Sequence, residues 1–100
     1  MQFGLPDNTI EKIKSVFASF PEVEEVVLYG SRAKGNFRPG SDIDLTLKGA
    51  ALNHSFLSKI SLNLDDLLLP YTFDLSIYHQ LQSPEFLDHI HRVGVVFYQR

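Results

Sequence analysis

The sequence predicts a small α+β domain, with one mixed β-sheet and its helices mainly on one face. Three observations carry this. Two segments alternate strictly between apolar and polar residues, Asp42 to Leu47 and Phe73 to Tyr78. Three other segments place apolar residues at helical spacing. These segments interleave in the order α-β-β-α-β-α-β with short connections, which favours one layered sheet over a bundle or sandwich.

The elements follow in order. Asn8 with Glu11 three residues later reads as a capping box, and Ile10, Ile13, Phe17 and Phe20 recur at helical spacing until Pro21 stops the run. Val26 to Tyr29 forms a first strand that ends at Gly30-Ser31. Residues 30–41 hold three glycines and a proline, giving a loop with room for one helical turn. In the second strand Ile43, Leu45 and Leu47 share one face, with Asp42, Asp44 and Thr46 on the other. Gly49 and Asn53 lead into a second helix carried by Leu57, Ile60, Leu64 and Leu67 and ended by Pro70. Phe73 to Tyr78 is a third strand. Ser83 as N-cap and Pro84 at the first helical position open a third helix through Phe86, Leu87, Ile90 and Val93. Gly94 closes it, and Val95 to Tyr98 is a fourth strand.

Composition bounds the function. The 100 residues are 44% hydrophobic and 21% charged, which suits one folded domain spanning residues 1–100 rather than a disordered chain. No apolar run is long enough to cross a membrane, and the N-terminus lacks a basic, apolar leader. Zero cysteines exclude disulfides and thiolate metal sites and fit the cytoplasm. A net charge of −3 argues against a nucleic-acid coat protein.

Chemistry concentrates in two places. Asp42 and Asp44, two apart on a strand, leave the same face with Cα atoms roughly 6.5 Å apart. Like charges so placed repel unless a cation lies between them. Asp74 holds the equivalent position on its own strand, so three carboxylates converge if the two strands adjoin. Such a set suits a hard, oxygen-seeking cation, above all Mg²⁺, which completes its shell with substrate phosphates and water. The preceding loop is basic. Between Glu25 and Asp42 there is no acidic residue, yet Arg32, Lys34 and Arg38 all fall there. Gly30 permits close backbone approach to a phosphate, and Ser31 adds a hydroxyl donor. The loop lacks the P-loop pattern.

The four histidines show no ligand spacing: His89 and His91 are two apart on a helix, and His54 and His79 stand alone, so surface or boundary roles are expected. Asp65-Asp66 reads as a solvated face, and Tyr29 as a core aromatic rather than a base-stacking one.

Gly30-Ser31-Arg32-Ala33-Lys34-Gly35, then Arg38-Pro39-Gly40-Ser41-Asp42-Ile43-Asp44-Leu45, with Asp74 on a later strand, strongly resembles the minimal nucleotidyltransferases of the DNA polymerase β superfamily. The resemblance covers nearly the whole chain. It implies the polymerase β-like nucleotidyltransferase fold, with Asp42, Asp44 and Asp74 as catalytic residues holding two Mg²⁺ ions, or Mn²⁺ as an alternative. Asp74 would also help activate the acceptor hydroxyl. Gly30 and Ser31 would hold the triphosphate, with Arg32, Lys34 and Ser41 as further phosphate candidates. The implied reaction moves a nucleoside monophosphate from an NTP, expected to be ATP, to an acceptor hydroxyl.

The 100 residues are expected to leave no room for a domain that binds an acceptor or a template. Stand-alone members resemble one half of a two-component system whose other half is a helical HEPN-type protein. That implies a toxin–antitoxin pair with this chain on the antitoxin side, in a homo- or hetero-oligomer. The competing reading is a non-catalytic nucleotide-binding or regulatory subunit, which would have no need of three mutually repelling carboxylates.

Overall fold

Ile43, Leu45 and Leu47 are fully buried while Asp44 between them is only half-buried, and this alternation organises the molecule. The computed structural model describes residues 1–100. Its elements are α1 (Asp7–Ala18), β1 (Glu25–Tyr29), the four-residue helical turn α2 (Ser31–Lys34), β2 (Ile43–Lys48), α3 (His54–Asp65), β3 (Phe73–Ile77), a 3₁₀ turn (Tyr78–Gln80), α4 (Pro84–Val93) and β4 (Val95–Gln99). The strands form one sheet in the order β3-β2-β1-β4. β1 pairs antiparallel with both β2 and β4, whereas β2 and β3 run parallel, joined by the α3 crossover.

One face of this mixed sheet carries the main core. Ile10, Ile13, Val16 and Phe17 of α1 and Ile60 and Leu64 of α3 pack on Val26, Leu28, Ile43, Leu45, Leu47 and Phe97 of the strands. Burying each such side chain contributes about 1.5–3 kcal/mol. The two long helices thus share one face, as expected. α4 lies on the other, where Ile90 packs with Val27 and Tyr29. It packs against β1, and at the starts of β2 and β3 Asp44 stays half-buried and Asp74 exposed.

Several boundaries differ from the sequence reading. The Asn8/Glu11 capping box does not form; Pro6 is the N-cap, its carbonyl accepts from the Ile10 amide at 3.1 Å, and Asn8 lies inside the helix. Proline supplies the extended backbone that an N-cap requires, so no side-chain cap is needed to start the turn. α1 stops at Ala18, and Phe20 packs on the core from beyond its end. α3 starts after Asn53, where the sequence places its entry, and Asn53 caps it by accepting from the Phe56 amide at 3.0 Å. It ends before Leu67, where Leu68 turns left-handed at φ 54° and is exposed. Gly94 follows α4 in an extended conformation rather than a left-handed one. Its lack of a side chain matters because a Cβ would strike the Ile90 carbonyl and lie 2.8 Å from Val27 Cγ1.

Candidate active site

The site is built where β1 ends and β2 and β3 begin. β1 delivers Tyr29 opposite Asp44, and the parallel pairing of β2 with β3 sets Asp44 beside Asp74. Tyr29, Asp44 and Asp74 therefore form one row across three strands on the face away from the main core. Asp42 stands just ahead of β2 and is exposed, as is Asp74. Burial raises the Asp44 pKa above the ordinary carboxylate value, and the negative charges of Asp74 and Asp42 raise it further. His89 and Arg32 act in the opposite direction. Burial, then the charge of Asp74, pushes the Tyr29 hydroxyl up to about 12, so it stays protonated at neutral pH. One step along the strands, Thr46 Oγ1 and Ser76 Oγ face each other across the pairing, buried and without hydrogen-bond partners.

Gly30 is required by the geometry of this row. Its φ is 76°, a region open to glycine, and a Cβ at this position would collide with Asp44 Oδ2. The carboxylate therefore lies directly against the turn that opens α2. The Gly30 carbonyl accepts from the Lys34 amide at 3.0 Å, and that of Ser31 from Gly35 at 2.9 Å, so the first amides of the turn have no helical acceptors of their own. Ser31 is half-buried at its start, while Lys34 and Arg38 are exposed on the same loop. The Ser41 hydroxyl accepts from the Arg38 amide at 2.8 Å and so closes the turn that precedes Asp42.

Arg32 corrects the expectation that it is a phosphate ligand. It is only 2% exposed, and its guanidinium donates to the carbonyls of Phe3, Pro39 and Ser41. A fork whose donors are spent on backbone oxygens inside the protein is not free for a ligand. Nothing in the residues 30–41 pattern distinguishes this arginine from a surface base, because the acceptors come from the N-terminus and from seven and nine residues downstream.

His89 takes the boundary role that was one of the two expected of it, partly buried beside the site. Its ring meets Tyr29 edge-on with centroids 6.2 Å apart, beside a similar Tyr29–Phe86 contact at 5.3 Å. The signal was present in the helical period: His89 lies three residues after Phe86 and four before Val93, both partly buried on the same side of α4.

The donor set fits a hard divalent cation. The carboxylates supply oxygen only, and a cation would offset both the burial and the neighbouring negative charges that raise the Asp44 pKa. No three Asp, Glu or His side chains close into a ready-made cage for one ion. The convergence of Asp42, Asp44 and Asp74 expected from the sequence is therefore limited to the Asp44–Asp74 pair, with Asp42 apart on its loop.

Residues 11–100 match the family model described as polymerase beta, nucleotidyltransferase. The chain belongs to this nucleotidyltransferase family. No curated protein sequence matches it. Among solved structures, the nucleotidyltransferase is similar to a chain of a toxin–antitoxin complex with AMP-PNP, at 22% identity and a TM-score of 0.71 over 96% of this chain and 75% of that one. A chain from the complex of tri-AMPylated Shewanella oneidensis HEPN toxin with MNT antitoxin matches at 18% identity and a TM-score of 0.68, over 93% and 71% of the two chains. A chain of the toxin–antitoxin MntA–HepT structure matches at 18% identity with the same TM-score, over 95% and 74%. These likenesses are of fold. No helix of the nucleotidyltransferase is long and apolar enough to cross a membrane.

Proposed function

We propose that this nucleotidyltransferase transfers a nucleoside monophosphate from ATP to a hydroxyl of a helical HEPN-type partner protein in the cytoplasm, as the antitoxin of a toxin–antitoxin pair. One observation carries the catalytic reading: the pairing of Asp44 with Asp74 across parallel strands, directly against the Gly30 turn. The family match supports the reaction class, and the similar chains in toxin–antitoxin complexes support the partner.

In this reading the amides at the start of α2 and the Ser31 hydroxyl bind the triphosphate, and Lys34 and Arg38 add positive charge at the rim. The acceptor oxygen bonds to the α-phosphorus while the bond from that phosphorus to the bridging oxygen breaks, and pyrophosphate leaves. Asp74, exposed on the edge strand, receives the proton of the acceptor hydroxyl. Asp42, Asp44 and Asp74 would hold Mg²⁺, or Mn²⁺ as an alternative, and the bound ions supply charge neutralisation at the attacking and leaving oxygens. Tyr29 stays protonated and, with Phe86 and His89, walls the row of carboxylates on the α4 side.

The test is intact-mass analysis of a HEPN-type partner encoded beside this chain, incubated with the chain, ATP and Mg²⁺. The expected result is added mass of one or more AMP groups, lost with EDTA and with Asp42→Asn. An unchanged partner mass, with ATP binding that is indifferent to Mg²⁺, would instead identify a non-catalytic nucleotide-binding subunit.

A further inference from the structure

Arg32 heads the fully buried side chains by size and carries a permanent charge. Burying a guanidinium costs stability unless its N–H groups find acceptors. Here Nε and Nη2 both donate to the Ser41 carbonyl, at 3.1 and 2.9 Å. Nη2 also reaches the Pro39 carbonyl at 3.3 Å, and Nη1 donates to the Phe3 carbonyl at 2.8 Å. The rings of Phe37 and Tyr71 stand 5.3 and 5.2 Å from the guanidinium carbon. No carboxylate lies within ion-pairing distance. An arginine kept inside without a counter-ion, at such density of contacts to one loop, is placed there to hold that loop.

What it holds is specific. Asp42 lies outside β2, and the first bond tying this stretch to β3 is from the Ile43 amide to the Thr72 carbonyl. The peptide joining Ser41 to Asp42 is the one whose oxygen receives two donors from Arg32. We propose that Arg32 is a positioning residue whose fork fixes the Ser41–Asp42 peptide and so sets the Asp42 carboxylate relative to Asp44 before any ligand arrives. The proposal rests on the assignment of Asp42 as a metal ligand. Lysine cannot replace the fork, because one ammonium cannot span the Ser41 and Phe3 carbonyls with the same directional bonds.

The experiment measures calorimetric binding of Mn²⁺ with AMP-PNP, thermal melting and amide hydrogen exchange on the full chain. Arg32→Lys is expected to weaken binding roughly tenfold or more, as loss of support behind a ligand does. Tyr71→Leu, which removes an aromatic wall but no hydrogen bond to the fork, should lower the melting temperature and leave the affinity unchanged. Adding Arg32→Lys to Asp42→Asn should cost little further affinity, because Arg32 acts through Asp42. In the ligand-free wild type, the amides of Arg38 and Ser41 should be protected. Wild-type affinity in Arg32→Lys would overturn the proposal. So would an undiminished effect in the Asp42→Asn background, or unprotected exchange in residues 38–42 of the wild type, a measurement independent of whether any variant folds. A wild-type chain that binds no Mn²⁺-nucleotide overturns the functional reading itself, an outcome distinct from wild-type binding that Arg32→Lys leaves intact.

Discussion

Asp44 and Leu45 are adjacent in the chain and belong to opposite faces of one sheet. On the Leu45 side, Ile43, Leu45 and Leu47 are sealed beneath α1 and α3. On the Asp44 side stand mutually repelling carboxylates, a tyrosine with a raised pKa and two buried hydroxyls without partners. The first face carries the main apolar core, and the second stores unfavourable electrostatics beside the smaller cluster under α4. A strand whose side chains alternate can do both at once, because its two sets of residues share a backbone and little else.

Asp44→Asn tests this separation most severely. Nucleotidyl transfer should fall on the order of 10²–10³-fold or more, the loss typical of removing a key electrostatic stabiliser. The same variant should melt higher. The folded pKa of Asp44 is raised, so ionising it near neutral pH costs the folded state, and its stabilising contribution is present only when it is protonated, at low pH. Asparagine removes that cost. A lowered melting temperature at pH 7 would break the comparison.

Leu45→Ala should do the converse. Stability should drop by about 2–5 kcal/mol in urea unfolding, with transfer per folded molecule retained. Gly30→Ala sits where the two faces meet. It strains a left-handed residue by about 1–3 kcal/mol and displaces Asp44, so calorimetry should show weakened Mn²⁺-nucleotide binding together with a lower melting temperature.

The smallest effect belongs to Tyr29→Phe. An unfolded tyrosine ionises near 10 and Tyr29 near 12, so its stabilising contribution is full below pH 10 and is lost as pH rises through 12. Melting curves between pH 10 and 12 should therefore fall more gently in Tyr29→Phe than in the wild type.

Much of this face-to-face contrast was legible in the sequence, since alternation in 42–47 and 73–78 locates both strands and says which residues share a side. The Ser83–Pro84 start of α4 and the entry to α3 at Asn53 were legible because their chemistry is local. Arg32 was not, because a basic residue in a glycine-rich loop is buried only when distant carbonyls converge on it. Nor was the side of the sheet that α4 occupies, which depends on how Ile90 docks against Val27 and Tyr29. For Asn8 and Glu11, a capping motif at the right spacing lost to a proline two residues earlier. Among the proposed site residues, Asp42, Asp44 and Asp74 were named from the sequence. Only the parallel register shows that Asp44 and Asp74 are direct neighbours while Asp42 stands apart on its loop.

That parallel pairing also has a history in time. β1 and β2 are antiparallel and close in sequence, so Tyr29 and Asp44 can meet early. Asp74 joins only after the whole α3 crossover has been traversed, and contacts across so long a loop form slowly. A chain on its way to the native state thus completes its apolar hairpin before it confronts the repulsion between the two carboxylates. A scan of folding kinetics should find Leu28 and Leu45 structured in the transition state and Asp74 still free, so that Asp74→Asn slows unfolding and leaves the folding rate nearly unchanged. Assembly of the chemistry then comes after the β1–β2 pairing, held back by the same crossover that makes it possible.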